Sequence, residues 1–395
     1  MRRNDASATP LQTAKLKFWG VRGSTPTVDR VTQRYGGNTS CLELVSPAGN
    51  RFILDCGSGL RMLSNRWTAG PAQNGADTHI FVTHYHWDHI QGIPFFAPLY
   101  SPENKFHFYS FRSDFLGRDS LKRVFEAQMA LPYFPVDLSA MSAARDFTEL
   151  AGGDKVTVGD TTITACWLNH PQGCLGFRLD TPAGAIVYTT DNEPGRREFD
   201  ATLLELCAGA DVLVNDAQFT PEQLAGIRKG WGHSSWLEGV KLAKAAGVRH
   251  LVLFHHDPDS SDKMVDDILR KAQGQFDNAY AAAEGMVLTL DAGALDVSLP
   301  VSRELVRRPT HFPALVSGCS PDGRSFEEET IVRDLSLQGA LIYLDHAPRL
   351  QSTLLLTIND LGAAGANKNL VLRGHVVRLE PAPDGQVGVG ILFTE

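Results

Sequence analysis

The chemistry of this chain concentrates in one short segment, FVTHYHWDHIQG, where His84, His86, Asp88 and His89 fall within six residues, directly after an apolar run that ends at Thr83. Imidazole nitrogens and carboxylate oxygens are the donors that zinc and related divalent metals take. On an extended stretch the alternating His84 and His86 can converge on one cation, while Asp88 and His89 turn toward a second position. Four potential ligands at this spacing read as a metal site rather than as a solvated histidine-rich loop.

Such a segment works only if rigid elements hold it. Up to about residue 290 short apolar runs recur, KLKFWG, CLELV, RFILD, HIFVT, ITACWL, LGFRL, AIVYTT, DVLVND and HLVLF, and their length and β-branched or aromatic content predict strands. Helical patterns alternate with them. Ser234 to Ala246 places Leu237, Val240, Leu242 and Ala245 at helical spacing, with Ser234 or Ser235 as N-cap and Gly247 as stop. A second helix is expected from Asp262 to about Ala282, capped by Ser260 or Ser261, with Met264, Val265, Ile268 and Leu269 on one side. Between Tyr100 and Leu150 the aromatics Phe106, Phe108, Tyr109, Phe111, Phe115 and Phe125 read as core under a helical insertion. Tyr133 and Phe134 are lid candidates there, where an aromatic face could stack a nucleobase. Strands mixed with helices indicate a layered α/β domain. Past Leu290 nearly everything is strand signal separated by turn clusters such as SPDG and PAPDG, so we expect an α/β domain over 1–297 and a small all-β barrel over 298–395.

Composition narrows the function classes. At roughly 150 residues per domain, 395 residues make two or three units, and 43% hydrophobic with 21% charged residues excludes disorder as the general state. Lysine plus arginine total 37 against 45 acidic residues, a net charge of −8, which argues against a large nucleic-acid surface but leaves room for a small anionic substrate. The six cysteines contain no C-x-x-C pair and read as reduced core residues, as expected in the cytoplasm. No apolar run approaches the ~18 residues of a membrane span, so neither secretion nor a membrane partner is expected.

The H-x-H-x-D-H string resembles the signature of the metallo-β-lactamase superfamily, whose fold is an αββα sandwich. The resemblance implies His84, His86 and His170 on one metal, Asp88, His89 and His255 on the other, and Asp191 bridging. His170, Asp191 and His255 each follow a predicted strand, where α/β active sites are built. His256 is the alternative to its neighbour His255. Asp55 of LDCGSG either orients a metal-bound histidine or caps its loop. The implied cofactors are two divalent ions, zinc first, with manganese or iron as alternatives. Flavo-diiron members carry glutamate where this chain has His86, which favours hydrolysis.

WGVRGSTP, RYGGNTSC and KGWGHSS resemble the branch holding ribonuclease Z, phosphonate-pathway phosphodiesterases and cyclic-nucleotide phosphodiesterases, over about residues 15 to 290. The resemblance implies catalytic work for His233, Asp88 and Asp191, with His233 of GHSS protonating a leaving oxygen; a helix-entry histidine is its structural alternative. The expected reaction is dinuclear, metal-dependent hydrolysis of a small phosphodiester, a 3′,5′-cyclic nucleotide, by a metal-bridging hydroxide. A ribonuclease Z-like nuclease and a signalling adaptor with a non-catalytic first domain are the alternatives, and a homo-oligomer is compatible with the sequence.

RELVRRPTHFPALV and RDLSLQGALIYL resemble the two halves of the PilZ signature, which implies a six-stranded barrel that receives cyclic di-GMP. Arg307, Arg308, Asp334, Ser336 and Gly339 are the matching residues, with Gly339 expected to permit a turn. Arg303 and Arg307 offer a second alignment of the arginine half. In the first, His311 stands where the last arginine belongs, and imidazole is a weaker phosphate grip than guanidinium.

Overall fold

The structure is a computed structural model that describes residues 13–69, 77–299, 308–335, 339–358, 369–382 and 385–394. Its chain divides into two compact units, Met1–Asp296 and Val297–Glu395.

The first unit is built on two sheets. Eight strands pair in the order Ala294–Ser298, Val287–Asp291, Thr13–Gly20, Cys41–Val45, Arg51–Leu54, Asp77–Phe81, Lys105–Phe111 and Ala144–Leu150. Seven more pair as Ala279–Ala281, His250–Phe254, Val212–Asp216, Gly184–Thr189, Cys174–Thr181, Thr161–Leu168 and Lys155–Val158. The sheets face each other through large side chains: Phe81 meets Phe177 at 5.3 Å between ring centroids, and Phe18 meets Phe254 at 6.1 Å. Helices cover the outer faces, Gly59–Ala69 and Ser120–Gln128 on the first sheet, Arg197–Cys207, Trp236–Ala245 and Asp262–Gln273 on the second. This is the expected αββα sandwich, and its central strands read as continuous apolar runs because both of their faces are covered.

Parallel pairing matters for the site. Arg51–Leu54, Asp77–Phe81 and Lys105–Phe111 run parallel in the first sheet, and Gly184–Thr189, Val212–Asp216 and His250–Phe254 do so in the second. Within each group the carboxyl ends share one edge, so residues just past Leu54, Phe81, Thr189, Phe254 and Asp216 are gathered without long loops.

Two expectations need correction. The helix begun at Asp262 stops at Gln273, because Gly274 ends it and Ala279–Ala281 instead adds a parallel strand beside Leu251–Leu253. Met264 on that helix is 46% exposed, so its buried stripe is Val265, Ile268, Leu269 and Ala272. The segment from Tyr100 to Leu150 is not a helical insertion. Lys105–Phe111 and Ala144–Leu150 are strands of the first sheet, and Ser120–Gln128 is the one α-helix among them. Phe106, Phe108, Phe111 and Phe125 are core there, whereas Phe134 packs edge-on against the half-exposed Phe95 and Tyr133 is 82% exposed.

The second unit is a closed barrel of six antiparallel strands, in the order Arg308–Cys319, Ser325–Leu335, Gly339–Leu344, Val387–Phe393, Leu370–Pro381 and Thr353–Ile358. Its strands alternate: Leu354, Leu356 and Ile358 point inward while Thr353 and Leu355 are exposed. Closure leaves no unpaired edge among the described strands. Gly339 is not in a left-handed conformation, so it does not serve by permitting a turn. A Cβ there would lie 2.2 Å from the Ile391 carbonyl oxygen across the ladder, which makes close strand approach the reason for glycine. Gly339→Ala is therefore expected to destabilise the barrel by about 1–3 kcal/mol, read as a lower unfolding midpoint of the full chain in urea. No described helix is long and apolar enough to cross a membrane.

Candidate metal centre

Nine of the residues singled out in the sequence come together at the carboxyl edge of the two sheets. His84 follows the strand Asp77–Phe81, His86 is the residue before the short helix Trp87–Ile90, and Asp88 and His89 lie within it. His170 follows Thr161–Leu168, Asp191 follows Gly184–Thr189, and His255 follows His250–Phe254. Three strand-end residues, Asp55, Asp191 and His255, hold φ of 61°, 54° and 59°. Left-handed backbone at a non-glycine residue is uncommon and collects at functional sites.

The donors form two sets whose ligating atoms lie within 4.8 Å of one another, His84 with His86 and His170, and Asp88 with His89 and His255. Asp191 stands between them. Its Oδ1 is 3.4 Å from His89 Nε2 and 3.3 Å from His255 Nε2, while its Oδ2 is 3.6 Å from His84 Nε2 and 3.7 Å from His170 Nε2.

Each imidazole has its outer nitrogen tied to an acceptor, which fixes where the lone pair points. His170 Nδ1–H donates to the Gly232 carbonyl at 2.7 Å, and His89 Nδ1–H donates to Asp55 Oδ2 at 2.8 Å. His255 Nδ1 meets Gln218 Oε1 at 3.1 Å, and His86 Nε2 meets Gln172 Oε1 at 3.0 Å, so His86 alone presents Nδ1 inward. The Thr83 hydroxyl gives its proton to Asp55 and must accept from His84 Nδ1 at 3.1 Å. His84 Nε2 is then a buried nitrogen with no hydrogen-bond partner.

These tautomers make the site fit divalent cations. His170 Nε2 and His86 Nδ1 approach to 3.1 Å, and His89 Nε2 and His255 Nε2 to 3.3 Å. The lone pairs of His170 Nε2 and His86 Nδ1 repel at this distance, yet two nitrogens on one tetrahedral zinc stand about 3.3 Å apart at ordinary bond lengths. A cation also satisfies the orphaned His84 nitrogen.

Electrostatics agree with the donor geometry. Burial would raise the Asp191 carboxyl, but His255, His89 and His84 hold it well below the usual carboxylate range, and Asp88 is held down likewise by His89 and His255. Burial and the neighbouring His89 keep His84 neutral, and burial pulls His170 down to about 4. His89 goes the other way. Burial disfavours its charge, yet Asp88, Asp191 and Asp55 push it well above the ordinary histidine value, so metal entry there displaces a proton.

His233 lies beside the donors without joining either three-residue set. Its ring stacks on His255 at 5.1 Å, and its Nδ1 bonds Asp216 Oδ2 at 3.0 Å. Burial opposes its charge, but Asp216 and Asp191 raise it to about 9. The preceding Gly232 has φ of 85°, and a Cβ there would sit 2.4 Å from His170 Nδ1, so glycine is what lets this loop lie against His170. Sequence reasoning missed Asp216. It ends the strand Val212–Asp216 as Asp55 and Asp191 follow theirs, and that shared placement was the available signal. Asp216 also accepts from the backbone N–H of Gln218 at 2.9 Å and of Ser234 at 3.2 Å. His256, the alternative ligand, is turned away, its Nε2 on the Ala282 carbonyl at 2.9 Å. Asn38 and Thr39 are engaged internally with Glu284 and Ser58.

The Beta-lactamase superfamily domain (Lactamase_B_2) matches residues 50–256, more than half of the 395 residues. The chain belongs to that superfamily. A PilZ domain matches residues 303–395, the region of the barrel. Ribonuclease Z of Haloarcula marismortui is 25% identical over 326 residues, covering 69% of this chain and 95% of that protein. Ribonuclease Z of Methanosarcina mazei is 26% identical over 323 residues, covering 69% and 97%. Among solved structures, the metallo-β-lactamase fold protein YhfI from Bacillus subtilis superposes with a TM-score of 0.53 at 22% identity, covering 70% of this chain and 99% of that one. A diphosphatase from the PhnP family gives 0.53 at 17% identity, covering 71% and 98%. At these identities the structural matches speak for the fold of this superfamily member.

In its PilZ domain the two halves of the expected ligand motif lie on neighbouring strands, with Arg308 opposite Leu335 and Pro309 opposite Asp334. Arg307 and Ser336 lie outside the described residues, as do Arg303 and the side chain of His311.

Proposed function

We propose that the first unit is a dinuclear metal-dependent phosphodiesterase whose substrate is a small phosphodiester, a 3′,5′-cyclic nucleotide. The observation that carries this reading is the Asp216–His233 pair set beside two metal-donor sets that share Asp191. His84, His86 and His170 would hold one cation, Asp88, His89 and His255 the other, with one oxygen of Asp191 toward each. Bound there, two divalent cations supply an acidified water and neutralise phosphodiester charge during in-line displacement.

The remaining work belongs to side chains. Asp216 accepts from His233 Nδ1–H, which leaves the Nε2–H of a charged ring to donate to the leaving oxygen. The Asp216 carboxylate favours the charged form of His233, the form that has a proton to give. Asp55 holds His89 through Nδ1 while taking a 2.7 Å hydrogen bond from the Tyr188 hydroxyl of the other sheet. Trp87, between His86 and Asp88, is 65% exposed and offers an aromatic face on the metal loop for a base.

Cyclic di-GMP at the PilZ domain is the proposed regulator, held by Arg307, Arg308, Asp334 and Ser336. A ribonuclease reading is favoured by the names of the ribonuclease Z relatives and disfavoured by the net charge of −8. Turnover of cAMP, cGMP, 2′,3′-cyclic nucleotides, bis(p-nitrophenyl) phosphate and a tRNA precursor, each with zinc, manganese or iron, separates the two. Cyclic nucleotides are expected to give the highest kcat/KM. Preference for the tRNA precursor would replace this reading with the nuclease.

A further inference from the structure

A second cluster of histidine and carboxylate lies at the far end of the strand that leads into the metal loop. His79 and His107 are direct lateral neighbours on the parallel strands Asp77–Phe81 and Lys105–Phe111, and His107 is in turn opposite Asp146 on Ala144–Leu150. Period-two alternation puts Asp77 on the same face as His79, and Lys105 on the same face as His107. The imidazoles stack with centroids 4.7 Å apart and planes 11° from parallel.

The partners of these rings repeat the logic of the catalytic edge. Tyr109 Oη occupies His79 Nδ1 at 3.0 Å, and Asp146 occupies His107 Nδ1 at 2.8 Å, as Asp55 occupies His89 Nδ1. Each ring is thus fixed through its Nδ1, with its Nε2 left to face the cluster. His107 Nε2 is directed at Asp77 Oδ1, 2.8 Å away, and ligating atoms of Asp77, His79 and His107 all lie within 4.8 Å of one another. An outer carboxylate on one histidine nitrogen orients the other for a metal and raises its basicity.

We infer that Asp77, His79 and His107 form a further transition-metal site, a set of two imidazoles and one carboxylate with Asp146 and Tyr109 fixing the rings and zinc as the fitting ion. Such a set, with a side open to water, matches the donors and open position that zinc accepts. Asp77 is 60% exposed on its side chain, which gives the ion an entry path. Burial and the adjacent His107 pull His79 down to about 4, so its lone pair is free at neutral pH. A bound ion would take the place of the contact between His107 Nε2 and Asp77 Oδ1, while Asp146 stays on His107 Nδ1. Lys105 opposes a cation here, against the two carboxylates Asp77 and Asp146. A bound ion would tie together strands that pass on to His84 at one end and to the sheet edge at the other.

The test is a zinc titration of the chelator-stripped full chain, with bound metal counted by mass spectrometry. The wild-type chain is expected to bind one equivalent more than His79→Phe, which keeps the aromatic stack and removes the donor. Asp77→Asn, at an exposed position, is expected to weaken that equivalent by ~10-fold or more, with phosphodiesterase turnover unchanged in both variants. Equal stoichiometry and affinity in the wild type and either variant would overturn the site. Because the count compares chains whose catalytic donors are intact, it stands or falls independently of the phosphodiesterase assignment.

Discussion

Asp191→Ala is expected to strip metal and activity together, each by more than the roughly 10–100-fold that loss of a residue merely orienting a ligand costs. The reason is the division of its carboxylate, Oδ1 toward His89 and His255 and Oδ2 toward His84 and His170. Alanine removes the one carboxylate that reaches both donor sets and leaves only Asp88, beside His89 and His255, so neither cation loses its ligand alone. Asp191→Asn keeps one neutral oxygen and should retain one cation better than the other. Metal content by mass spectrometry beside turnover of bis(p-nitrophenyl) phosphate reads both effects. Two metals and full turnover in Asp191→Ala would remove the bridging role.

His233→Ala should behave in the opposite sense, keeping both metals while turnover of a cyclic nucleotide falls by roughly 10²–10⁴-fold, the usual size of a general-acid contribution. The ring lies beside the donors but spends its Nδ1 on Asp216 at 3.0 Å. A p-nitrophenolate leaves with little need of a proton, so the loss should shrink with that substrate. Asp216→Asn should reproduce part of the same pattern, since an amide holds the ring without favouring its charge. Equal losses on both substrates would mean that His233 positions the phosphate instead of protonating the leaving oxygen.

Much of this site was legible because its donors obey a simple grammar in which a short apolar run ends and a metal-binding type follows. His170, Asp191 and His255 carry that mark as clearly as His84. Asp216 carries it too, at the end of DVLVND, but the resemblance that points to His170, Asp191 and His255 assigned it no role. What fixes the lone pairs was not legible. The Gly232 carbonyl, the Thr83 hydroxyl and the amides of Gln172 and Gln218 decide which nitrogen of each ring is free, and a backbone carbonyl has no signature in sequence. The strands Lys105–Phe111 and Ala144–Leu150 were hidden for another reason. ARDFTEL at the sheet edge alternates exposed and half-buried residues and lacks the apolar run of a covered strand, while the aromatics of KFHFYSF suit any core.

The left-handed backbone at Asp55, Asp191 and His255 has a consequence for anyone who engineers this chain. Such conformations cost up to about 1–3 kcal/mol each at residues other than glycine, and relief by glycine is available at any of the three positions. Laboratory evolution that rewards only thermal endurance would be drawn toward those three positions, and each gain there would erase a proposed metal donor or the carboxylate proposed to align one. Durability and turnover therefore compete at the same few codons, and a selection that holds metal content fixed would leave the loops and the barrel as the ground on which robustness can rise.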